Sequence, residues 1–382
     1  MGLIIKKISL LYIIWLSIFV ISCNEKSDSQ YSDYQKLPTY SVDSLEKVLT
    51  QVPVDSIMAF DTSKVIAPYD LVQTLDNKYW ISSDHLENLI ILFNQQGLYL
   101  AEAGGRGRGP GEFEGAKKLH VGWDNTLYVL DMRSQRITQY QVDKNGFTNT
   151  SSFSPSSSFE PASKLLSVYA TEWGNYGVIR KITDYKKGEE EYSLFELDEE
   201  FRVKKRLFTM DGNEKMSLDR WNHIDHLSGE KTFWDLDGEW FYHITSHNTV
   251  VNKYNVRTGK SRSFAHLNLK DRIITDEVKL QLMDVASNMT ERFDKIHEAF
   301  VDVEILPLFQ DFTVHNNDYY MVIYNPSSIK NTEIIKVNEI SGEVQYVNLP
   351  LSLWKVKAGR KMIYGTVTYG EDAQIRLIKF SE

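Results

Sequence analysis

The sequence predicts an all-β chain that folds as a six-bladed β-propeller, with one amphipathic helix inserted between blades four and five. The first observation behind this prediction is the stretch 104–113, whose five glycines and one proline exclude a helix or an interior strand. Apolar and polar residues then alternate across residues 119–146, with turn residues at Asp124-Asn125 and Asn145-Gly146. This region therefore predicts a glycine-rich turn followed by three short antiparallel strands. These strands would make up most of one propeller blade.

The second observation is a turn dipeptide that recurs through the chain, followed each time by an aromatic or apolar strand segment. The six dipeptides are Asp76-Asn77, Asp124-Asn125, Gly174-Asn175, Asp237-Gly238, Asn316-Asn317 and Gly359-Arg360. Their spacings are 48, 50, 63, 79 and 43 residues. Repeats of roughly 40 to 50 residues with several strands each are typical of β-propellers, and the two longest spacings require insertions.

The third observation is a helical pattern within the longest spacing. Apolar residues repeat at intervals of three and four across residues 276–300, which predicts an amphipathic helix. The repeating residues are Val278, Leu282, Val285, Met289, Phe293, Ile296 and Phe300. We expect the apolar stripe to pack on the propeller face, with a lid over the central channel as the alternative.

Residues 104–146 resemble one NHL repeat. They contain a glycine-rich turn ending in GPGEF, the strand LHV, the turn DN, the strand LYVLD and an RI pair leading to Tyr140. The chain as a whole resembles the six-bladed β-propeller lipoproteins common in Bacteroides-type bacteria. This resemblance implies a cell-envelope protein whose relatives mostly lack an assigned activity.

The first 22 residues are predicted to be a lipoprotein signal peptide. Lys6 and Lys7 form the positively charged n-region of the signal peptide. Residues 8–21 form an uncharged run of 14 residues, which is too short to span a bilayer readily. Ser22 then precedes Cys23, the only cysteine of the chain. This order is similar to a bacterial lipobox, so Cys23 is the predicted lipidation site, with an ordinary buried cysteine as the alternative.

The residue after the cysteine indicates the destination. Asn24 stands where the inner-membrane retention signal of such lipoproteins has aspartate, so we expect an outer-membrane lipoprotein, on either the periplasmic or the cell-surface side. Residues 23–40 are polar without periodicity and predict a lipid-anchored flexible tether. Residues 41–382 are predicted to form the propeller.

Composition agrees with a folded domain and limits the classes of partner. Hydrophobic residues make up 42% and aromatic residues 12%, as half-buried strands require. Removal of Lys6 and Lys7 with the signal peptide changes the formal net charge from -9 to -11. Because the remaining sequence has no basic stripe, nucleic acid is not an expected partner, and membrane contact is expected through the lipid only.

The strand order of a propeller defines two faces. The four strands of a blade run from the axis outward, so the connections between blades share one face, here called the top face, with the turns between second and third strands. The long connections predicted on this face are 102–115, 211–231 and 270–306. The last blade offers only three strands, so residues 54–60 are predicted to supply the fourth and to close the ring.

The glycine-rich turn on the top face carries two candidate ligand-binding residues. The guanidinium groups of Arg106 and Arg108 could clamp a carboxylate or a phosphate. The alternative is a purely structural turn held by Glu112. Arg133, after the second strand of the same blade, is a third candidate.

Asp131 and Arg136 flank Arg133 on the same blade. We expect these two residues to form an internal ion pair of the repeat rather than a ligand contact.

Histidines are the only credible metal ligands in the sequence. His223 and His226 form an HxxH pair in the second long connection, and His243 and His247 end the second strand of blade four. His223, His226 and His247 are therefore candidate ligand-binding residues of the top face. Because an HxxH pair outside a helix does not place both rings on one face, we predict no metal site, no cofactor and no catalytic residue.

These observations favour a non-enzymatic binding module over an enzyme. The expected protein is a lipid-anchored propeller whose top face holds a glycan, a peptide or a partner protein. The alternative is a metal-dependent propeller hydrolase or lyase, in which His and Asp side chains from several blades would converge on the axis.

The lipid anchor is directly testable. In Cys23→Ala the acylated residue is absent, so we expect release of a soluble protein into the periplasm or accumulation of an uncleaved precursor. Membrane fractionation and incorporation of a radiolabelled fatty acid measure both outcomes. Unchanged fractionation together with unchanged labelling would contradict lipidation at Cys23.

Overall fold

The computed structural model describes residues 37–380 apart from 62, 116, 218–222, 227–228, 271, 274–304, 324–330, 352, 354, 360–361 and 368–373. Within these residues, six sheets each built on four antiparallel strands form the predicted propeller. No helix in this part of the chain is long and apolar enough to cross a membrane.

A short N-terminal segment precedes the blades. Its elements are β1 (Thr39–Ser41), a 3-10 helix (Val42–Ser44), α1 (Leu45–Val48), β2 (Thr50–Gln51) and β3 (Val54–Ala59). The first strand thus begins two residues before the predicted start of the propeller domain.

Blades one to three follow in sequence order, with the first strands of neighbouring blades in contact around the axis. Blade one contains β4 (Pro68–Gln73), β5 (Tyr79–Asp84), β6 (Leu89–Asn94) and β7 (Tyr99–Gly104). Blade two contains β8 (Lys117–Val121), β9 (Leu127–Asp131), β10 (Arg136–Asp143) and β11 (Gly146–Phe153). Blade three contains β12 (Ser163–Thr171), β13 (Gly174–Asp184), β14 (Glu189–Leu197) and β15 (Val203–Asp211). A hairpin of β16 (Lys215–Ser217) and β17 (His223–Asp225) lies in the connection to blade four.

Blades four to six complete the ring. Blade four contains β18 (Thr232–Asp237), β19 (Trp240–Thr245), β20 (Val251–Asn255) and β21 (Ser261–Phe264). The short strands β22 (Asn268–Lys270), β23 (Arg272–Ile273) and β24 (Ile305–Leu306) follow. Blade five contains β25 (Phe309–His315), β26 (Asp318–Ile323), β27 (Thr332–Asn338) and β28 (Val344–Leu349). Blade six contains β29 (Lys355–Gly359), β30 (Met362–Val367) and β31 (Gln374–Phe380), with β3 as its fourth strand. The helix predicted over residues 276–300 lies outside the described residues.

The turns between first and second strands confirm the predicted repeat. Asn77 and Asn125 adopt left-handed backbone conformations with φ of 56° and 66°, which asparagine tolerates better than most residues. Gly238 has the same conformation in blade four, with φ of 58°. In blade three the turn lies slightly earlier than predicted, because Thr171 already pairs with Gly174 across the hairpin.

Apolar side chains fill the spaces between neighbouring blades. Ile81 and Leu92 of blade one pack with Leu127 and Val129 of blade two and with Phe113 from the glycine-rich turn. All five side chains are fully buried. Since successive side chains of a strand point to opposite faces of its sheet, each blade needs a neighbour on both sides.

The closing strand β3 joins the two ends of the chain. It pairs antiparallel with β31, with Ile57 opposite Ile378, and supplies the fourth strand of blade six as predicted. Phe60, directly after β3, is buried against Trp80 and Phe93 of blade one at ring-centroid distances of 5.8 and 5.2 Å. The closing strand therefore also connects blade six to blade one.

The residues before β3 pack on blades four and five. Val42, Leu45 and Leu49 are buried in a cluster that contains side chains of both blades. The short strand β2 pairs in parallel with β28, with Thr50 opposite Gln345. This segment adds buried area without being part of ring closure.

The contribution of β3 can be separated from that of the preceding segment by truncation. A protein that begins at Asp61 lacks the closing strand and its buried side chains, so we expect it to melt well below one that begins at Thr39. A protein that begins at Pro53 is the matched control, because it keeps β3 and lacks only the packing on blades four and five. We expect its melting temperature, measured by circular dichroism, to lie between the other two. Equal melting of the Pro53 and Asp61 proteins would show that the ring does not depend on β3.

Candidate ligand site at the propeller axis

The glycine-rich turn between blades one and two is held by its own backbone and by Glu112. The backbone N–H of Gly109 donates to Oε2 of Glu112 at 2.7 Å, and the N–H of Phe113 donates to the carbonyl of Gly105 at 2.8 Å. Gly104 has a φ of 118°, and a Cβ there would lie 2.6 Å from the backbone carbonyl oxygen of Asn88, so the turn requires glycine at that position. These contacts support the structural interpretation of the turn.

The arginines of this turn point outward. Arg106 and Arg108 are exposed, and Nε of Arg108 donates to Oε1 of Glu114 at 2.7 Å. Arg133 is also exposed. The three candidate arginines therefore lie on the surface around the connection from blade one to blade two.

The ion pair predicted between Asp131 and Arg136 does not form. Asp131 instead accepts the backbone N–H groups of Glu114 at 2.6 Å and of Arg133 at 2.9 Å. Arg136 donates from Nη1 to the carbonyl of Arg108 at 2.8 Å and from Nη2 to the carbonyl of Glu112. Because the loop presents backbone groups to both side chains, each of them braces the glycine-rich turn separately.

The candidate histidines belong to blade four and to the connection before it. His223 lies in β17, and His226 follows that strand and donates its backbone N–H to the carbonyl of Glu214 at 2.8 Å. Burial lowers the pKa of His226. His247 lies just beyond β19, and its buried Nε2 has no hydrogen-bond partner among the described residues. In the same part of the chain, no group of three or more His, Cys, Asp or Glu side chains is arranged to hold a metal.

Among the described residues, a group of polar side chains meets at the axis, where only the enzyme alternative had predicted a site. We call it the axial cluster, and ten residues define it. They are Tyr69, Asp70, Lys118, His120, Tyr169, Asp235, Asp311, Lys355, Lys357 and Tyr364. Nine come from the innermost strands, and Tyr364 comes from β30.

Lys357 shows that the cluster is axial. Its ammonium interacts electrostatically with Asp70 of blade one, Tyr169 of blade three and Asp235 of blade four. The same charge acts on His120 of blade two and Asp311 of blade five. Only the propeller axis is close to all of these blades at once.

Asp70 and Asp311 bridge the inner strands of neighbouring blades. Asp70 accepts the backbone N–H of Leu119 in blade two at 3.0 Å, in addition to that of its own neighbour Leu71 at 3.1 Å. Asp311 accepts the N–H of Val356 in blade six at 2.9 Å. Each carboxylate therefore joins two blades at the axis.

Asp235 makes the corresponding contact between blades four and five. It accepts the backbone N–H of Val314 at 3.1 Å and the hydroxyl of Thr313 at 2.8 Å. Buried or half-buried carboxylates that accept backbone N–H groups are held in position, so these three acidic side chains link blade one to blade two and blades four, five and six to one another at the axis.

The lysine side chains of the cluster have fewer hydrogen-bond partners than its aspartates. Nζ of Lys355 donates to the carbonyl of Tyr69 at 3.0 Å and lies 3.5 Å from the centroid of the Tyr69 ring. Nζ of Lys118 lies 5.8 Å from the same centroid. Among the described residues, the ammonium groups of Lys118 and Lys357 make no hydrogen bond and no ion pair within 4.0 Å.

Burial and neighbouring charges separate the protonation states of the lysines. Burial and the charge of Lys118 lower the pKa of Lys355 to about 7. Burial also opposes the charge on Lys357, but Asp235 and Asp70 outweigh it and raise the pKa of Lys357. At neutral pH Lys357 is therefore charged, whereas Lys355 is close to its midpoint.

The other titrating groups of the cluster respond mainly to burial. Burial lowers the pKa of His120 to about 4, so its ring is neutral at pH 7. Burial raises the pKa of Asp311, Tyr169 and Tyr364. Burial also opposes ionisation of Asp70, but Lys118, Lys357 and Lys355 outweigh it and lower the pKa of that carboxyl.

A weak signal in the sequence could have indicated this site. In three innermost strands an aspartate is followed directly by an apolar residue, in the segments YDLV, WDLD and QDFT. The innermost strand of blade six reads KVKAG, with two lysines in alternate positions. Polar residues at alternate positions of a strand are usually expected to face solvent. For this reason the sequence pattern did not indicate that these residues lie together at the axis.

Asp70→Asn tests the contribution of the axial charges to stability. The substitution removes the carboxylate charge near three lysines, so we expect a loss of about 1 to 3 kcal/mol in urea unfolding at pH 7. Since the pKa of Asp70 is lowered in the folded state, this contribution is present above the pKa of an unfolded aspartate. It disappears as the pH falls through the folded-state pKa. Asp55→Asn, on the exposed part of β3, is the control and should cost about 0.5 kcal/mol or less. Equal effects of the two variants would contradict a stabilising axial network.

Comparison with known proteins supports the same architecture. The profile of the DUF5128 family, described as a 6-bladed beta-propeller, matches residues 59–357. No curated protein sequence matches the chain significantly. A predicted exported protein from Bacteroides fragilis NCTC 9343 is similar in structure, with a TM-score of 0.50 and 12% identity over 90% of this chain and 99% of that one.

A second similar structure consists of the WD40 repeats of RRP9, with a TM-score of 0.51 and 10% identity over 87% of this chain and 99% of that one. At such low identity, both structures are similar to this chain in fold alone. The family profile, by contrast, spans well over half of the chain and agrees with the six blades of the structure. The chain therefore belongs to the DUF5128 family of six-bladed β-propellers.

Proposed function

We propose that this protein is a lipid-anchored binding module of the cell envelope, which holds a glycan, a peptide or a partner protein on the top face of the propeller. The signal-peptide pattern that ends at Cys23 supports the envelope address. The exported protein from Bacteroides fragilis is similar in fold, which is consistent with that address.

The observation that carries the binding function is the axial cluster. Connections from one blade to the next enter the innermost strands at the top face, so Tyr69, Lys118 and Lys355, at the start of their strands, lie at the top end of the channel. The aspartates beneath them are committed to backbone N–H groups. Inner strands that are linked in this way, with ammonium groups at the channel entrance, are suited to holding a polar ligand with little change of shape.

The exposed arginines extend the same face outward. Arg106, Arg108 and Arg133 lie around one connection between blades, where their side chains can reach a ligand larger than the channel. Arginine suits this task because its planar guanidinium forms paired hydrogen bonds to carboxylate, phosphate and amide oxygens. In this proposal the axis supplies the deep contacts and the arginines supply the peripheral ones.

Paired substitution tests the top face. The double variant Arg106→Ala, Arg108→Ala should lose at least part of the binding that the wild-type protein shows on glycan and peptide arrays. Its melting temperature should remain within a few degrees, since exposed substitutions usually cost about 0.5 kcal/mol or less. Arg257→Ala, an exposed arginine of the turn between β20 and β21 on the opposite face, is the matched control.

The outcomes separate the proposal from its alternatives. Binding that survives in the double variant, together with a lower melting temperature, would make these arginines structural parts of the turn. A stoichiometric transition metal in the purified protein would instead favour the metal-dependent hydrolase or lyase.

A further inference from the structure

We propose that the entrance of the axial channel, between Tyr69, Lys118 and Lys355, binds the carboxylate group of a small acidic ligand. This inference rests on the proposed binding function and specifies the chemistry of its deepest contact. Its basis is the position of two ammonium groups beside one ring, together with the shortage of acceptors around them.

The geometry brings two cations from different blades to one place. Lys355 of blade six and Lys118 of blade two lie 3.5 and 5.8 Å from the centroid of the Tyr69 ring, which belongs to blade one between them. All three side chains are half-buried. The pair therefore forms a positively charged entrance with partial access to solvent.

The protein supplies these two ammonium groups with few acceptors. An ammonium carries three donors, and half-buried donors need partners. Lys355 uses one donor on the carbonyl of Tyr69, whereas the ammonium group of Lys118 makes no hydrogen bond to any described residue. A ligand carboxylate offers two oxygens that could accept from both lysines.

The nearest acidic side chains do not replace such a ligand. Asp70 and Asp311 act on the lysines electrostatically, but no ion pair within 4.0 Å joins them to Lys118 or Lys355 in the described part of the chain. Their oxygens accept backbone N–H groups instead. The fixed orientation of these carboxylates keeps them out of contact with the two lysines.

The charge balance favours a monoanion. Three lysines and three aspartates of the axial cluster cancel formally, and Lys118 and Lys355 repel one another at the entrance. A single negative charge between them reduces this repulsion. A fully ionised phosphate would bring a second negative charge close to Asp70 and Asp311, so we expect it to bind more weakly than a carboxylate.

The site should respond to pH through Lys355. The charged and titratable groups that face it are Tyr69 and Asp70 on β4, Lys118 on β8, Asp311 on β25 and Lys357 on its own strand. Burial and Lys118 hold its pKa at about 7, so its positive charge is lost as the pH rises through neutrality. Carboxylate binding should therefore be stronger at pH 6 than at pH 8.5.

The direct test is titration of the mature full-length protein by isothermal calorimetry or NMR. The probes are glucuronate and N-acetylglycine, with glucose as the neutral control and inorganic phosphate, compared at pH 8.5 where it is a dianion, as the doubly charged control. We expect both carboxylates to bind better than glucose and phosphate. Their relative affinities will distinguish a sugar acid from a peptide carboxyl terminus as the source of the group.

Variants identify the residues involved. Lys118→Met should weaken carboxylate binding about tenfold or more, whereas Lys144→Met, at an exposed turn of the opposite face, should not change it. Between pH 6 and pH 8.5 the wild-type affinity should fall by roughly tenfold or more as Lys355 loses its proton. Lys355→Arg keeps the charge at both pH values and should remove most of this dependence.

Three results would overturn the inference: carboxylates that bind no better than glucose, equal binding by Lys118→Met and Lys144→Met, or an unchanged pH dependence in Lys355→Arg. Melting curves of each variant separate loss of the site from loss of the fold. If carboxylates fail to bind while array binding still depends on Arg106 and Arg108, this inference falls and the proposed function stands.

Discussion

A four-stranded blade buries only part of its apolar surface, so each blade must have a packed neighbour on both sides. For blades two to five the chain supplies these neighbours in sequence order. Blades six and one pack through Tyr364, Ile375 and Leu377 against Trp80, and the chain start adds to this contact because β3 pairs with β31 and Phe60 joins the same cluster. The closed ring is the constraint on which the blade interfaces and the geometry of the axis depend.

Ring closure also creates the polar axis. Six innermost strands meet with their starts at one face, and side chains that would be solvated on an isolated sheet are brought together. The carboxylates of Asp70, Asp235 and Asp311 then stabilise the arrangement by accepting N–H groups from the next blade. The lysines among them supply positive charge that these contacts do not use directly. Structural rigidity and the capacity for binding thus come from the same strands.

The periphery of the top face is organised differently. The glycine-rich turn is braced by Glu112, Asp131 and Arg136, each of which bonds to backbone groups. This bracing leaves Arg106 and Arg133 exposed at the surface. A stiff turn with free side chains is a common arrangement for recognition, because the scaffold fixes where the ligand contacts lie.

Local patterns were sufficient for most of the architecture. The turn dipeptides such as Asp124-Asn125 and the alternation after them predict six blades, because hairpin geometry depends on residues close in sequence. The closing strand was also predictable, since a three-stranded last blade needs a partner and residues 54–60 have the right pattern. The expected Asp131–Arg136 ion pair was wrong because sequence spacing does not reveal that backbone N–H groups compete for the same carboxylate.

The sequence by itself determined the fold class, the number of blades, the glycine-rich turn and the closing strand, because each depends on short-range periodicity and turn chemistry. Only the tertiary structure decided that Lys355 lies over Tyr69, a residue 286 positions away, and that both share the axis with Asp70 and Lys118. The reason is physical: hydrogen bonds, burial and pKa shifts at the axis depend on side chains from all six blades. No local pattern in the chain records which of those side chains meet.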